Sequence, residues 1–181
     1  WSTRWQDTMS FLSQLLSPAA DGPRRQWVAV IYADWQQAAA PSPDEIVDHV
    51  LSCGLSTENQ IAGVLVDTWS KNSGRLLDSM TVEQLRKLGE RVRKSNRFFA
   101  IAGRLQTHTL DVLVPVHPDI IAVRSAVCRG EVRTSVVDVE AVRQLRTEIN
   151  NTFAADAAAK RSPENGLACS GLPVGAAHDQ F

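Results

Sequence analysis

Four short apolar runs organise the chain: WVAVIY from Trp27 to Tyr32, IAGVLVD from Ile61 to Asp67, FFAIAG from Phe98 to Gly103, and DIIAVR from Asp119 to Arg124. Each is too short for an ordinary helix and rich in Val, Ile or Phe, so each reads as a strand. None shows the strict polar–apolar alternation of a sheet with one wet face. Such runs are expected to be parallel strands covered on both faces.

The segments between the runs carry helix signals. Ser42 before Pro43 reads as an N-cap for a helix to about Cys53. Thr81 caps VEQLRKLGERVRK, with Glu83 near the capping-box position. A short helix is expected near Thr107 to Leu113 and a long one from about Asp138 to Asn151. Ahead of the first strand, Trp5, Met9, Leu12 and Leu15 or Leu16 fall at helical spacing and predict an amphipathic helix. Strand alternating with helix is an α/β pattern. Four parallel β-strands in this alternation make half of a (β/α)8 TIM barrel, and a flavodoxin-like open sheet fits the same string. Residues 1–152 form the partial barrel in this reading. Residues 153–181, dominated by Ala, Gly, Pro and polar types, read as a disordered tail.

Bulk properties exclude several function classes. The 181 residues carry a formal charge of -1, so there is no basic field for nucleic acid or anionic lipid. No apolar run is long enough to span a bilayer, and residues 1–16 lack the basic start and apolar block of a signal peptide. The 3 cysteines, Cys53, Cys128 and Cys169, match neither a metal spacing nor a disulfide framework, and a cytoplasmic location is expected. His49, His108 and His117 are scattered, and no metal or cofactor is implied. The chain begins at Trp1 without an initiator Met, so it reads as a fragment or as a gene begun in the wrong place.

In parallel α/β folds, chemistry gathers beyond the C-terminal strand ends. There the chain places Asp34, then Asp67 and Lys71, then Gly103 and Arg104, then Arg124, Ser125 and Ala126. A lysine near a carboxylate at a shielded strand end can act as an acid/base or carbonyl-binding amine. The same spacing also fits a surface ion pair of little worth. Small residues at Ala102-Gly103 and Ser125-Ala126 leave backbone N–H groups accessible beside two guanidinium groups, a combination suited to phosphate. Close packing of loop on strand is the plainer alternative, as solvation is for the arginines and turn capping for Asp34.

The stretches LVDTWSKNSGRLLD, FAIAGRL and DIIAVRSAVCRGEVRTSVVD resemble the (5-formylfuran-3-yl)methyl phosphate synthase family, whose members read LxDTxxKdG-LLD, AGSL and GVRGAxCxGGDRxGxID at these places. The resemblance runs from about Trp27 to Ile149. It implies a TIM-barrel lyase that condenses two glyceraldehyde 3-phosphates by Schiff-base chemistry for methanofuran-type one-carbon metabolism. The four units then correspond to strands five to eight. Asp67 and Lys71 align with acid/base participants, and Asp34 with the Asp of a YAD turn. Gly103 aligns with a phosphate loop, while Arg124, Ala126, Cys128 and Gly130 align with the RGAxCxG loop. Ser125 stands where the family has Gly, Arg104 where it has Ser, and Glu131-Val132 where it has Gly-Asp. The Ser125 Cβ and the Glu131 charge bear on phosphate affinity. The family's Schiff-base lysine follows its first strand, and no lysine precedes Lys71 here. The chain is therefore expected to be inactive alone. A noncatalytic phosphate-binding domain, or a half-barrel that pairs with another chain or as a homo-oligomer through its sheet edges, is the alternative.

Overall fold

The computed structural model describes residues 26–52, 60–70 and 74–159. The expected helix over residues 1–16, Lys71, Cys53, Cys169 and residues 160–181 lie outside the described residues. Four strands form one sheet: β1 (Gln26–Tyr32), β2 (Gln60–Asp67), β3 (Phe98–Ile101) and β4 (Ile120–Ile121). They lie in the order β1-β2-β3-β4 and every pair is parallel. A doubly wound sheet reverses its strand order at a switch point. Sequential order is that of a half (β/α)8 barrel.

The helices are α1 (Pro43–Ser52), the single turn α2 (Leu76–Ser79), α3 (Val82–Arg93), the short α4 (Leu110–Leu113) and α5 (Val139–Ala159). Local chemistry sets where α1 and α3 begin. The Ser42 hydroxyl accepts the Glu45 N–H at 3.3 Å, and the Glu45 carboxylate accepts the Ser42 N–H at 2.8 Å. The bond from the Ser42 N–H, joined by one from the Ser42 hydroxyl to the same carboxylate oxygen at 2.8 Å, holds the Glu45 carboxyl below the usual carboxylate range. At α3 the same reciprocal box joins Thr81 to Gln84, with N–H donors at 3.2 and 2.8 Å. The box needs the third helical position. Gln84 occupies it, and Glu83 does not fill the role expected from the sequence. Glu83 instead pairs with Arg86 at 2.8 Å and Lys87 at 3.5 Å. The side-chain hydrogen bond from Arg86 lowers the Glu83 carboxyl to about 2.

Helix α3 buries Leu85, Leu88 and Val92 on the stripe facing the sheet. Its Arg91 reaches across to Asp44 at 2.5 Å and to Asp48, tying α3 to α1. The core lies between helices and one face of the sheet. Ile31, Val64, Val66, Phe99 and Ile101 pack there against Ile46, Val47, Val50 and Leu113. A smaller cluster of Leu110, Val127 and Leu145 seats α5.

Two expectations change. Helix α5 runs to Ala159, beyond the end expected near Asn151. Its alanine-rich end extends it, since Ala has the highest helix propensity. The strands were also expected to be covered on both faces, and among the described residues helices cover one. Val28 and Val30 on β1 remain 43% exposed and Ile120 on β4 46% exposed.

Candidate functional site

The C-terminal ends of β2, β3 and β4 surround a cavity of about 400 Å³. Asp67, Gly103, Arg104, Arg124 and Ser125 from the sequence-expected set all line it. Three others do not. Ala126 and Gly130 sit in the loop after β4 but off the cavity wall, and Asp34 faces elsewhere. Lys71 lies outside the described residues.

Asp34 is buried, and its carboxylate is turned to the loop after β2. Its Oδ1 accepts the Trp69 N–H at 2.6 Å and its Oδ2 accepts the Ser70 N–H at 2.9 Å. Ring contact between Tyr32 and Trp69, edge to face with centroids 5.2 Å apart, braces the same junction. Asp34 therefore shapes the segment 68–70 that follows Asp67. Asp67 ends β2 opposite Tyr32, and its Oδ1 accepts the N–H of Thr68 at 2.7 Å.

The turn after β3 depends on backbone that side chains resist. Gly103 has φ +109, and a Cβ there would meet Thr68 Cγ2 at 3.0 Å and Leu76 Cβ at 3.2 Å. Its carbonyl accepts the Leu76 N–H at 3.0 Å, which locks the turn onto the start of α2. Arg104 follows at φ +54, a left-handed conformation uncommon for residues other than glycine. Together these conformations turn the chain sharply as it leaves β3, with Arg104 exposed at the cavity.

After β4 the chain folds back on itself in 3-10 turns, 125–127 and 129–131. The Asp138 N–H to Val127 carbonyl bond, 2.8 Å, and the Arg129 N–H to Val136 carbonyl bond, 3.0 Å, close this loop. Arg124 Nε donates to the Arg133 carbonyl at 3.2 Å. The Cys128 thiol is buried and donates to the Arg124 carbonyl at 3.2 Å, so Cys128 secures the loop base. Gly130 takes φ +65 with open space around it, and Glu131 follows at φ +56. Gln106 Nε2 then donates to Glu131 Oε2 at 2.9 Å, joining the loop after β3 to the loop after β4. Glu131, which the sequence placed as an unfavourable charge, thus serves as the anchor between two loops.

Sequence reasoning overlooked Arg75, Gln106 and Arg133, all of which line the cavity. Arg133 stands at the arginine of the CxGGDR pattern, a signal that was there to use. Arg75 and Gln106 gave none, because only the folded loops bring them to the wall. Four guanidinium groups, Arg75, Arg104, Arg124 and Arg133, therefore face two carboxylates, Asp67 and Glu131. The excess of positive charge suits an anion, and arginine in particular suits planar, multidentate contact with phosphate oxygens. Among the described residues no group of three or more His, Cys, Asp and Glu converges to hold a metal, and no helix is long and apolar enough to cross a membrane.

Comparison with known proteins gives the family. A family model described as 4-HFC-P synthase matches residues 2–146. A (5-formylfuran-3-yl)methyl phosphate synthase from Archaeoglobus fulgidus is 29% identical over 123 residues, covering 68% of this chain and 49% of the relative. Proteins of the same name from Methanosarcina acetivorans and Methanosarcina barkeri are 31% and 32% identical, over 63% and 67% of this chain and 46% and 49% of the relatives. The chain thus spans about half the length of the curated relatives it matches. It belongs to the 4-HFC-P synthase family.

Proposed function

We propose that the chain is the strand-five-to-eight half of a barrel lyase that condenses two glyceraldehyde 3-phosphates into a furan phosphate, the (5-formylfuran-3-yl)methyl phosphate of its relatives' name, with release of inorganic phosphate and water, in methanofuran-type metabolism. The observation that carries the reading is the cavity at the strand ends, where Arg75, Arg104, Arg124 and Arg133 outnumber Asp67 and Glu131. In this reading Arg104, Arg124 and the Gly103 turn bind the substrate phosphate, and Arg75 and Arg133 complete its charge balance. Asp67 and Lys71 move protons at the reacting carbon atoms. The Schiff base itself forms on a lysine that the family resemblance assigns to the first half of the barrel, where an amine and an aldehyde join as an imine with loss of water. The 181 residues by themselves accordingly bind phosphate and do not turn over.

Calorimetry with inorganic phosphate and with glyceraldehyde 3-phosphate tests the cavity, and salt-sensitive binding of both is the expected result. Borohydride trapping on a chain joined to the four preceding units tests the chemistry. Absence of anion binding, or trapping that is insensitive to loss of Arg124, would sink the reading. A second reading, a noncatalytic half-barrel that serves as an interaction domain, draws on the exposed Val28, Val30 and Ile120.

A further inference from the structure

The cavity wall sorts its polar groups by kind. Arg75, Arg104, Arg124 and Arg133 only donate hydrogen bonds, whereas the carboxylates of Asp67 and Glu131 only accept them. Four guanidinium groups against two carboxylates leave two positive charges, which matches the dianion of one phosphate monoester. Such a wall suits a ligand that is anionic at one end and carries hydroxyl donors at the other.

Glu131 is the unusual member. It stands at φ +56 directly after Gly130 at φ +65, in backbone that glycine takes freely and glutamate does not. A charged side chain kept in a disfavoured conformation at a cavity wall points to a role for that side chain. Its carboxylate also stays clear of the guanidinium groups. The ion pairs among the described residues join Arg86 and Lys87 to Glu83, Arg86 to Glu90, Arg91 to Asp44 and Asp48, and Arg143 to Glu140. None of them takes Glu131 or a cavity arginine. Glu131 is instead held by the neutral Gln106 amide at 2.9 Å. Because a carboxylate only accepts, that bond fixes Nε2 towards Glu131 and leaves Gln106 Oε1 buried without a hydrogen-bond partner among the described residues. The clasp persists although an orphaned amide oxygen is unfavourable. It keeps a full negative charge on the wall while the positive charges stay unpaired.

We infer that Glu131, positioned by Gln106, selects what the bound phosphate carries: it admits phosphate monoesters whose other end is neutral and hydroxylated, and it excludes those that bear a carboxylate. A ligand hydroxyl donates to the Glu131 carboxylate. A ligand carboxylate meets like charge there, and a trianion exceeds the two positive charges of the wall. The arginines by themselves would favour the more highly charged ligand, so Glu131 reverses the order. This inference rests on the anion-binding reading of the cavity above, and it adds the residue that sets the selectivity of that site.

Calorimetry on the 181-residue chain with glycerol 3-phosphate and 3-phosphoglycerate tests it, since the two share a phosphate and a three-carbon chain. The parent is expected to bind glycerol 3-phosphate about fivefold more tightly, the scale of one screened like-charge contact at an exposed wall. Glu131→Gln keeps a hydrogen bond to the Gln106 amide and removes the charge, so the preference should vanish or invert. Gln106→Ala keeps the charge and frees it to pair with a guanidinium. It should therefore weaken binding of inorganic phosphate, whereas Glu131→Gln should strengthen it. A clasp that merely joined two loops would move both variants in the same direction. Should Gln106→Ala lose its fold, Gln106→Met retains the side-chain length without the amide, and the same weakening is expected. A parent that binds the two esters alike, or prefers 3-phosphoglycerate, overturns the inference. So does a preference that survives Glu131→Gln, or a shift of inorganic phosphate affinity in the same direction in both variants. Equal binding of both esters sinks the selectivity alone, whereas a parent that binds neither ester nor inorganic phosphate sinks the anion-binding reading and this inference with it.

Discussion

Asp34, at the end of β1, holds the backbone of Trp69 at 2.6 Å, across the junction between two neighbouring strand ends. With its second bond to Ser70, the carboxylate fixes the backbone of the two residues that precede Lys71 in sequence. Removing it leaves two backbone donors without their charged acceptor. Asp34→Ala should therefore cost about 1–3 kcal/mol, the usual penalty for orphaned polar groups in a partly buried setting. Urea unfolding measures this, and a loss within experimental scatter would make Asp34 a bystander.

Arg124 should matter to anion affinity more than to folding. It is exposed, and its side chain donates a 3.2 Å hydrogen bond to the Arg133 carbonyl. Arg124→Ala is expected to weaken phosphate binding about tenfold or more, since a charge-assisted hydrogen bond contributes about 1.5–3 kcal/mol. Calorimetry reads the affinity, and a thermal melt checks that folding is retained.

Gly103 has no room for a side chain. Gly103→Ala would add a Cβ 3.0 Å from Thr68 Cγ2 at φ +109. The combined strain is expected to cost about 1–3 kcal/mol and to disturb the cavity wall. Denaturation curves give the first effect and phosphate titration the second. A variant as stable as the parent would show that the turn relaxes freely.

Glu83 supplies a pH test of α3. Its carboxyl is lowered from 4.5 to about 2, chiefly by the hydrogen bond from Arg86. A depressed folded value means that the ionised form favours the fold. The contribution is complete above pH 4.5 and disappears as pH falls to about 2. Thermal melts of the parent and Glu83→Gln should differ near neutral pH and converge through that window. The effect is small because the group is solvent-exposed and screened.

Asp67 and Lys71 are tested in a barrel that includes the preceding units. Asp67→Asn and Lys71→Ala should each lower kcat by about 10²-fold or more, the scale of a lost general acid or base. Steady-state product formation measures it. Turnover that survives Lys71→Ala would return the pair to an ordinary surface role.

Much of the fold was legible in the chain because strand burial is written in composition. The runs at Val28, Val64, Phe99 and Ile120 had to become parallel strands, and Ser42 and Thr81 had to start helices, since capping is a local hydrogen-bond requirement. Locality also explains what was misplaced: the box at α3 turns on one residue of register, and Gln84 rather than Glu83 holds it. The strand-end rule brought Asp67, Gly103, Arg104, Arg124 and Ser125 to one wall, as the residues alone suggested. Contacts between distant segments were another matter. Asp34 faces Trp69, Gln106 reaches Glu131, and Arg75 joins Arg133 at the cavity only because separate loops converge above neighbouring strands. Side-chain direction at those turns depends on left-handed backbone at Arg104 and Glu131, which no apolar pattern encodes. Sequence determined the layers and the charges; tertiary structure decided which charges meet, because loop geometry is set by long-range packing and not by the residues within the loop.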